Sequence, residues 1–130
     1  MDVHTFYRRI REQLGAGEVE ETERGTAAVF HALRDRLTPP EADQVAAQLP
    51  ALLKEVWTVG ERADRMPMKL HRSAFLERVR QEAGLATTRQ AEWLALTVFS
   101  VLKAQLSEGE AEDVVAQLPK DLKELWVEAP

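Results

Sequence analysis

One feature constrains this chain more than any other: it says the same words twice. Ala47-Gln48-Leu49-Pro50, followed by Leu53-Lys54-Glu55 and Trp57, returns as Ala116-Gln117-Leu118-Pro119, Leu122-Lys123-Glu124 and Trp126. The likeness extends upstream, so that Phe6–Trp57 lies on Phe75–Trp126 at a constant offset of 69 residues, without a gap and with 20 identities in 52 positions. Matched positions are large apolar residues (Phe6/Phe75, Phe30/Phe99, Leu33/Leu102, Leu37/Leu106, Trp57/Trp126) or backbone punctuation (Gly15/Gly84, Pro50/Pro119). Self-similarity at a fixed period marks a structural unit that buries its apolar face against its copy. A unit of this size is near the lower limit for independent stability. The expected organisation is therefore one domain over residues 1–130: copy one at 6–57, a basic linker at 58–74 and copy two at 75–126.

Helical periodicity runs through both copies and no stretch alternates with period two, so the expected fold class is all-α. Each copy reads as four helical segments, packed as one pseudo-two-fold helical domain. Phe6, Ile10 and Leu14 share a face that Gly15 closes, as Phe75, Val79 and Ala83 share one that Gly84 closes. A long helix follows, about Glu20–Arg36 and Arg89–Gln105, the second opened by a capping box of Thr87 and Gln90. Trp93–Leu102 is apolar nearly all round, which predicts a central, buried helix with Trp93 in the core. Opposite it, the small residues Gly25 and Ala28 allow a close helix crossing. Thr38-Pro39-Pro40-Glu41 predicts a capping box for the third helix, and Ser107–Glu110 the same in copy two. Pro50 and Pro119 should break the chain and restart it as short helices ending at tryptophan.

The pattern is similar to a known family, domain of unknown function 2267. The words that carry the resemblance are Phe75-Leu76-x-x-Val79, Arg89-Gln90-Ala91-Glu92, Val98-Phe99-x-x-Leu102, Glu110-Ala111-Glu112-Asp113 and the Gln-Leu-Pro of both copies. They are mostly helix caps, stripes and breaks, and they span nearly the whole chain. The resemblance implies an all-helical protein with globin-like helix packing, and it supplies no activity and no catalytic residue.

Chemistry is sparse. The chain has no Cys, which removes disulfides, thiolate metal sites and cysteine nucleophiles. His4, His31 and His71 stand in none of the helix-borne metal spacings. His31 and Asp35 are four apart and predict a hydrogen-bonded pair; a haem ligated by His31 is the weaker reading, with polar Arg34 in its neighbourhood. Acid clusters at Glu18–Glu23 and Glu108–Asp113 suit the first turns of helices, and weak divalent-cation binding is their minority reading. No phosphate loop or nucleophile elbow is visible, so no enzymatic activity, no catalytic or metal residue and no cofactor is expected.

Charge and symmetry point to surfaces instead. Residues 62–80 carry a local charge of +4 and residues 108–130 one of −5, so the two complement each other. Arg62, Arg65, Lys69 and Arg72 of the basic linker form a candidate interaction surface, together with Tyr7 and Leu52, which break the repeat. The linker lacks aromatics and the net charge is −5, so nucleic acid is not an expected partner. No run approaches the 18 apolar residues of a membrane span, and no signal segment precedes the repeat. The expectation is a soluble, cytoplasmic protein of bacterial residue bias, poor in Asn and Ile. Its leading role is a non-enzymatic helical interaction or scaffold module, self-associating or bound to a protein partner. The alternative is a small-ligand binder with a pocket between the copies, near Gly25, Ala28 and Trp93.

Overall fold

The computed structural model describes residues 1–15 and 17–130 and, among them, eight α-helices and no strand. These are α1 (Val3–Leu14), α2 (Val19–Arg36), α3 (Pro39–Ala47), α4 (Ala51–Thr58), α5 (Arg72–Ala83), α6 (Thr88–Gln105), α7 (Glu108–Ala116) and α8 (Lys120–Glu128). Corresponding helices start 69 residues apart, at Val3 and Arg72, Val19 and Thr88, Pro39 and Glu108, Ala51 and Lys120. Residues 72–74, which the sequence places in the linker, thus form the first turn of α5.

The helix ends are set by local chemistry. Gly15 and Gly84 take left-handed backbone at φ 90° and 72° to end α1 and α5. Thr87 and Gln90 complete the expected reciprocal box at the start of α6. Pro50 and Pro119 stand in extended backbone ahead of α4 and α8, so the Gln-Leu-Pro words are helix breaks. Leu49 and Leu118 are buried at those breaks.

The two capping boxes expected at α3 and α7 do not form. Thr38 and Ser107 accept from the Glu41 and Glu110 amides as expected. The return bonds, however, come from across the molecule. Thr38 N–H donates to Gln117 Oε1 at 2.9 Å, and Ser107 N–H donates to Gln48 Oε1 at 2.8 Å. Each glutamine of Gln-Leu-Pro therefore caps a helix of the other sequence copy. A side chain from a distant segment replaces the local glutamate, which turns inward.

Packing repeats this exchange. Helix α1 lies against α6 and α5 against α2, while α2 touches α6 and α3 touches α7. A single apolar core results, and two aromatic files run through it. Phe6, Phe30 and Trp57 stack edge-on with centroids 5.8 and 5.3 Å apart; Phe75, Phe99 and Trp126 follow at 5.9 and 5.0 Å. All six are buried. Such pairs contribute about 0.5–1.5 kcal/mol each beyond their burial.

Two cations, one buried and one half-buried, close the short tryptophan helices. Arg34, 4% exposed, donates Nη1 to the Trp57 and Val59 carbonyls at 2.8 and 2.6 Å. Lys103, which stands 69 residues later, donates Nζ to the Trp126 carbonyl at 2.7 Å and to that of Ala129. Orphan carbonyls at helix ends need such donors. Burial pushes the Lys103 pKa down.

Candidate functional site

A groove of about 870 Å³ opens where the ends of α1, α2, α5 and α6 meet. In it Gly25 of α2 and Leu94 of α6 come together. A Cβ on Gly25 would stand 3.1 Å from both terminal carbons of Leu94, so only glycine admits Leu94 without displacement. The expected crossing at Gly25 is present, and Ala28 is buried one turn along. Leu14 and Leu85 supply further apolar wall, and Glu21, Arg24 and Arg89 form a charged rim. Arg24 is held in place: its Nε donates to the Glu82 carbonyl at 2.9 Å while the guanidinium covers Gly84.

Trp93 lines this groove and is 57% exposed. That corrects its expected place in the core. Leu94, Ala95, Val98, Phe99, Val101 and Leu102 bury the faces of α6 that meet other helices. Trp93 lies outside this buried set, on the wall of the groove. A signal for this existed in the repeat, because Trp93 is matched to Arg24, and a charged residue at the equivalent position marks an outward face.

A second groove of about 640 Å³ runs between α1, the start of α2 and α4. Tyr7 and Leu52, singled out because they break the repeat, both line it, together with Val19 and Val59. Leu52 is 57% exposed. Tyr7 is half-buried, with its ring edge-on to Phe6 at 6.1 Å. Burial, reinforced by the Glu23 charge, pushes the Tyr7 phenol up to about 12.

The basic linker residues do different things. Arg65 folds back under the end of α2, where it donates to the carbonyls of Leu37 (2.6 Å) and Arg34 (2.8 Å) and pairs with Glu61 at 2.5 Å. It is a helix cap, and its guanidinium does not face solvent. Arg72 pairs with Glu92 at 2.8 Å, and its amide donates to Asp121 at 3.0 Å. The basic segment and the acidic C-terminal region thus meet within the molecule. Arg62, beside Asp64 at 3.6 Å, and Lys69 are exposed. The four residues do not share one patch.

His31 does not pair with Asp35. Its Nε2 donates to the Val56 carbonyl at 2.7 Å, while Asp35 is taken by Arg34 at 2.9 Å and by Arg78 at 2.8 Å. Burial opposes the charged form of Asp35, but hydrogen bonds from Arg34 and Arg78 outweigh it and hold the carboxyl below its usual range. Sequence spacing pointed to the histidine; two stronger, permanently charged donors won the carboxylate.

Fold and groove together define a class: an all-α domain with a cleft where α1, α2, α5 and α6 meet and an exposed indole on its wall. No helix of the described residues is long and apolar enough to cross a membrane. The family described as an uncharacterized conserved protein (DUF2267) matches residues 3–125, and the chain belongs to it. No curated protein matches the chain.

Proposed function

We propose that this chain is a non-enzymatic binding module, built as a two-fold repeat, whose working surface is the groove between the copies. The occupant is a small, planar, partly apolar molecule that stacks on Trp93, with an anionic group toward Arg89. The observation that carries this reading is the solvent-exposed Trp93 in a cleft of about 870 Å³. That volume lies within the range of small-molecule sites. An indole 57% exposed leaves more than half of a large apolar surface in water, where an occupant would cover it.

The test uses 1-anilinonaphthalene-8-sulfonate as probe, an aromatic body with one anionic group. Binding is expected at one site per chain, with energy transfer from tryptophan. Trp93→Ala should weaken binding at least tenfold and lower the transfer, which Trp57 and Trp126 still feed from any probe that binds, and Arg89→Glu should weaken binding. Unchanged binding in both variants would place the probe elsewhere and sink the reading.

A second reading, docking of a protein partner or a second copy, rests on the groove that carries Tyr7 and Leu52. Light scattering decides between them: a dimer that Leu52→Asp returns to a monomer supports docking, and a strict monomer counts against self-association.

A further inference from the structure

The inward turn of Glu41 and Glu110 has a chemical consequence separate from the groove. Both stand at the third position of their helices, where a glutamate ordinarily folds back onto the capping residue's amide. Gln117 and Gln48 hold those amides here, so both carboxylates face the junction of α3 and α7. Glu41 is 8% and Glu110 5% exposed. Oxygens of Glu41, Glu110 and Asp113 lie within 4.8 Å of one another. With its amide turned to satisfy its neighbours, the Gln44 nitrogen donates to Glu110 Oε1 at 3.1 Å and to Glu41 Oε2 at 3.2 Å. Gln44 and Asp113 are equivalent positions 69 residues apart, so each copy contributes a Glu-x-x-Gln or Glu-x-x-Asp turn.

The donors do not match the acceptors. Glu110 Oε2 is fully buried and has no hydrogen-bond partner. The ion pairs of the described residues leave Glu41, Glu110 and Asp113 out altogether. A buried carboxylate without a countercharge is strongly disfavoured, so this junction calls for one positive species.

We propose that the junction is a divalent-cation site, with Glu41, Glu110 and Asp113 as carboxylate ligands and Gln44 turning its amide to offer oxygen. An all-oxygen set with no His or Cys selects a hard cation of the Ca²⁺ or Mn²⁺ type over zinc or copper. Asp113 is exposed and keeps one side open to water, which completes the coordination. The carboxylate separation suits ligands about 2.3–2.6 Å from a shared ion. The positive ends of α3 and α7 work against the cation. Binding is therefore modest in affinity, and it ties the two sequence copies together. Burial, together with Glu41 alongside, pushes the Glu110 carboxyl up to about 8, the same frustration seen by a proton.

The experiment compares the full chain with Glu110→Gln, Glu41→Gln and Asp113→Asn. Free Mn²⁺ counted by electron paramagnetic resonance should give one bound ion per chain. Millimolar CaCl₂ or MnCl₂, against NaCl of matched ionic strength, should raise the melting temperature by about 4–7 °C at tenfold excess over Kd. Glu110→Gln and Glu41→Gln should abolish both effects, and Asp113→Asn should weaken binding at least fivefold. Glu110→Gln replaces a buried carboxyl by a neutral group of the same shape, so it should melt no lower than the cation-free wild type; Asp113→Asn alters an exposed residue and leaves folding intact. No bound Mn²⁺ at millimolar free Mn²⁺ would overturn the proposal. So would binding that survives both glutamate variants, which would mark it as diffuse attraction to surface acids. A melting temperature that responds to pH but to neither cation would assign the junction to a shared proton instead.

Discussion

Gln117→Ala should weaken the fold more than a surface substitution does, because Gln117 serves a helix of the other copy. Its Oε1 accepts from Thr38 N–H at 2.9 Å, and its Nε2 donates to Thr38 Oγ1 at 3.2 Å, both in part-buried surroundings. Two neutral hydrogen bonds contribute about 0.5–1.5 kcal/mol each, and removal strands a helix-start amide that water reaches poorly. The expected loss is about 1.5–3 kcal/mol. For a domain of this length that lowers the melting temperature by roughly 5–12 °C. Gln48→Ala removes the mirror-image bonds to Ser107 at 2.8 and 3.2 Å, but these lie at an exposed site where water substitutes. It should cost less, about 1 kcal/mol. Gln117→Glu keeps the acceptor and loses the donor, so it should fall between wild type and Gln117→Ala. Urea unfolding followed by circular dichroism at 222 nm measures all three, and an unchanged slope is required for the comparison. A Gln117→Ala loss under about 0.5 kcal/mol would refute the cross-capping argument. A larger loss for Gln48→Ala than for Gln117→Ala would refute the role assigned to burial.

Two further outcomes follow from the charged side chains. Arg65→Ala should cost about 2–3 kcal/mol, since charged donors to the last α2 carbonyls are lost, whereas exposed Arg62→Ala should stay within about 0.5 kcal/mol; thermal melts of the pair decide this. Asp35 has its folded pKa below its unfolded value, so its contribution is present above the unfolded pKa and disappears as pH falls through the folded one. Wild type should therefore lose stability below about pH 4 more steeply than Asp35→Asn, which starts lower at neutral pH; urea midpoints at pH 7, 4 and 2.5 are the check.

Much of the frame was legible because helix ends are local chemistry. Gly15, Gly84, Thr87 with Gln90, and the two prolines act on neighbours within a few residues, and all sit at the predicted helix limits. What escaped was decided at long range. Thr38 and Glu41 satisfy the capping-box pattern by themselves, and only the fold brings Gln117 to displace the glutamate. His31 and Asp35 have the right spacing, yet Arg78 arrives from α5 to claim the acid. Charge density in the linker suggested a surface, whereas Arg65 is spent on the α2 carbonyls. Apolar composition around α6 does not tell which of its sides have neighbours, and Trp93 stands on an exposed one. In the repeat, identical polar pairs at interior register were the overlooked signal: Glu41/Glu110 and Gln48/Gln117 recur because both copies use them at the seam.

The proposed binding between the copies, on Trp93, is read directly by nuclear magnetic resonance. The three tryptophans give three indole N–H signals in a ¹H–¹⁵N correlation spectrum. Trp57 donates its indole N–H to the Ala42 carbonyl at 3.0 Å, and Trp126 is buried beneath Lys103. Titration with 1-anilinonaphthalene-8-sulfonate should move the Trp93 indole signal and the backbone amides around Gly25, Leu85 and Arg89, and leave the other two indoles in place. Shifts gathered around Tyr7 and Leu52 with a motionless Trp93 signal would contradict the account.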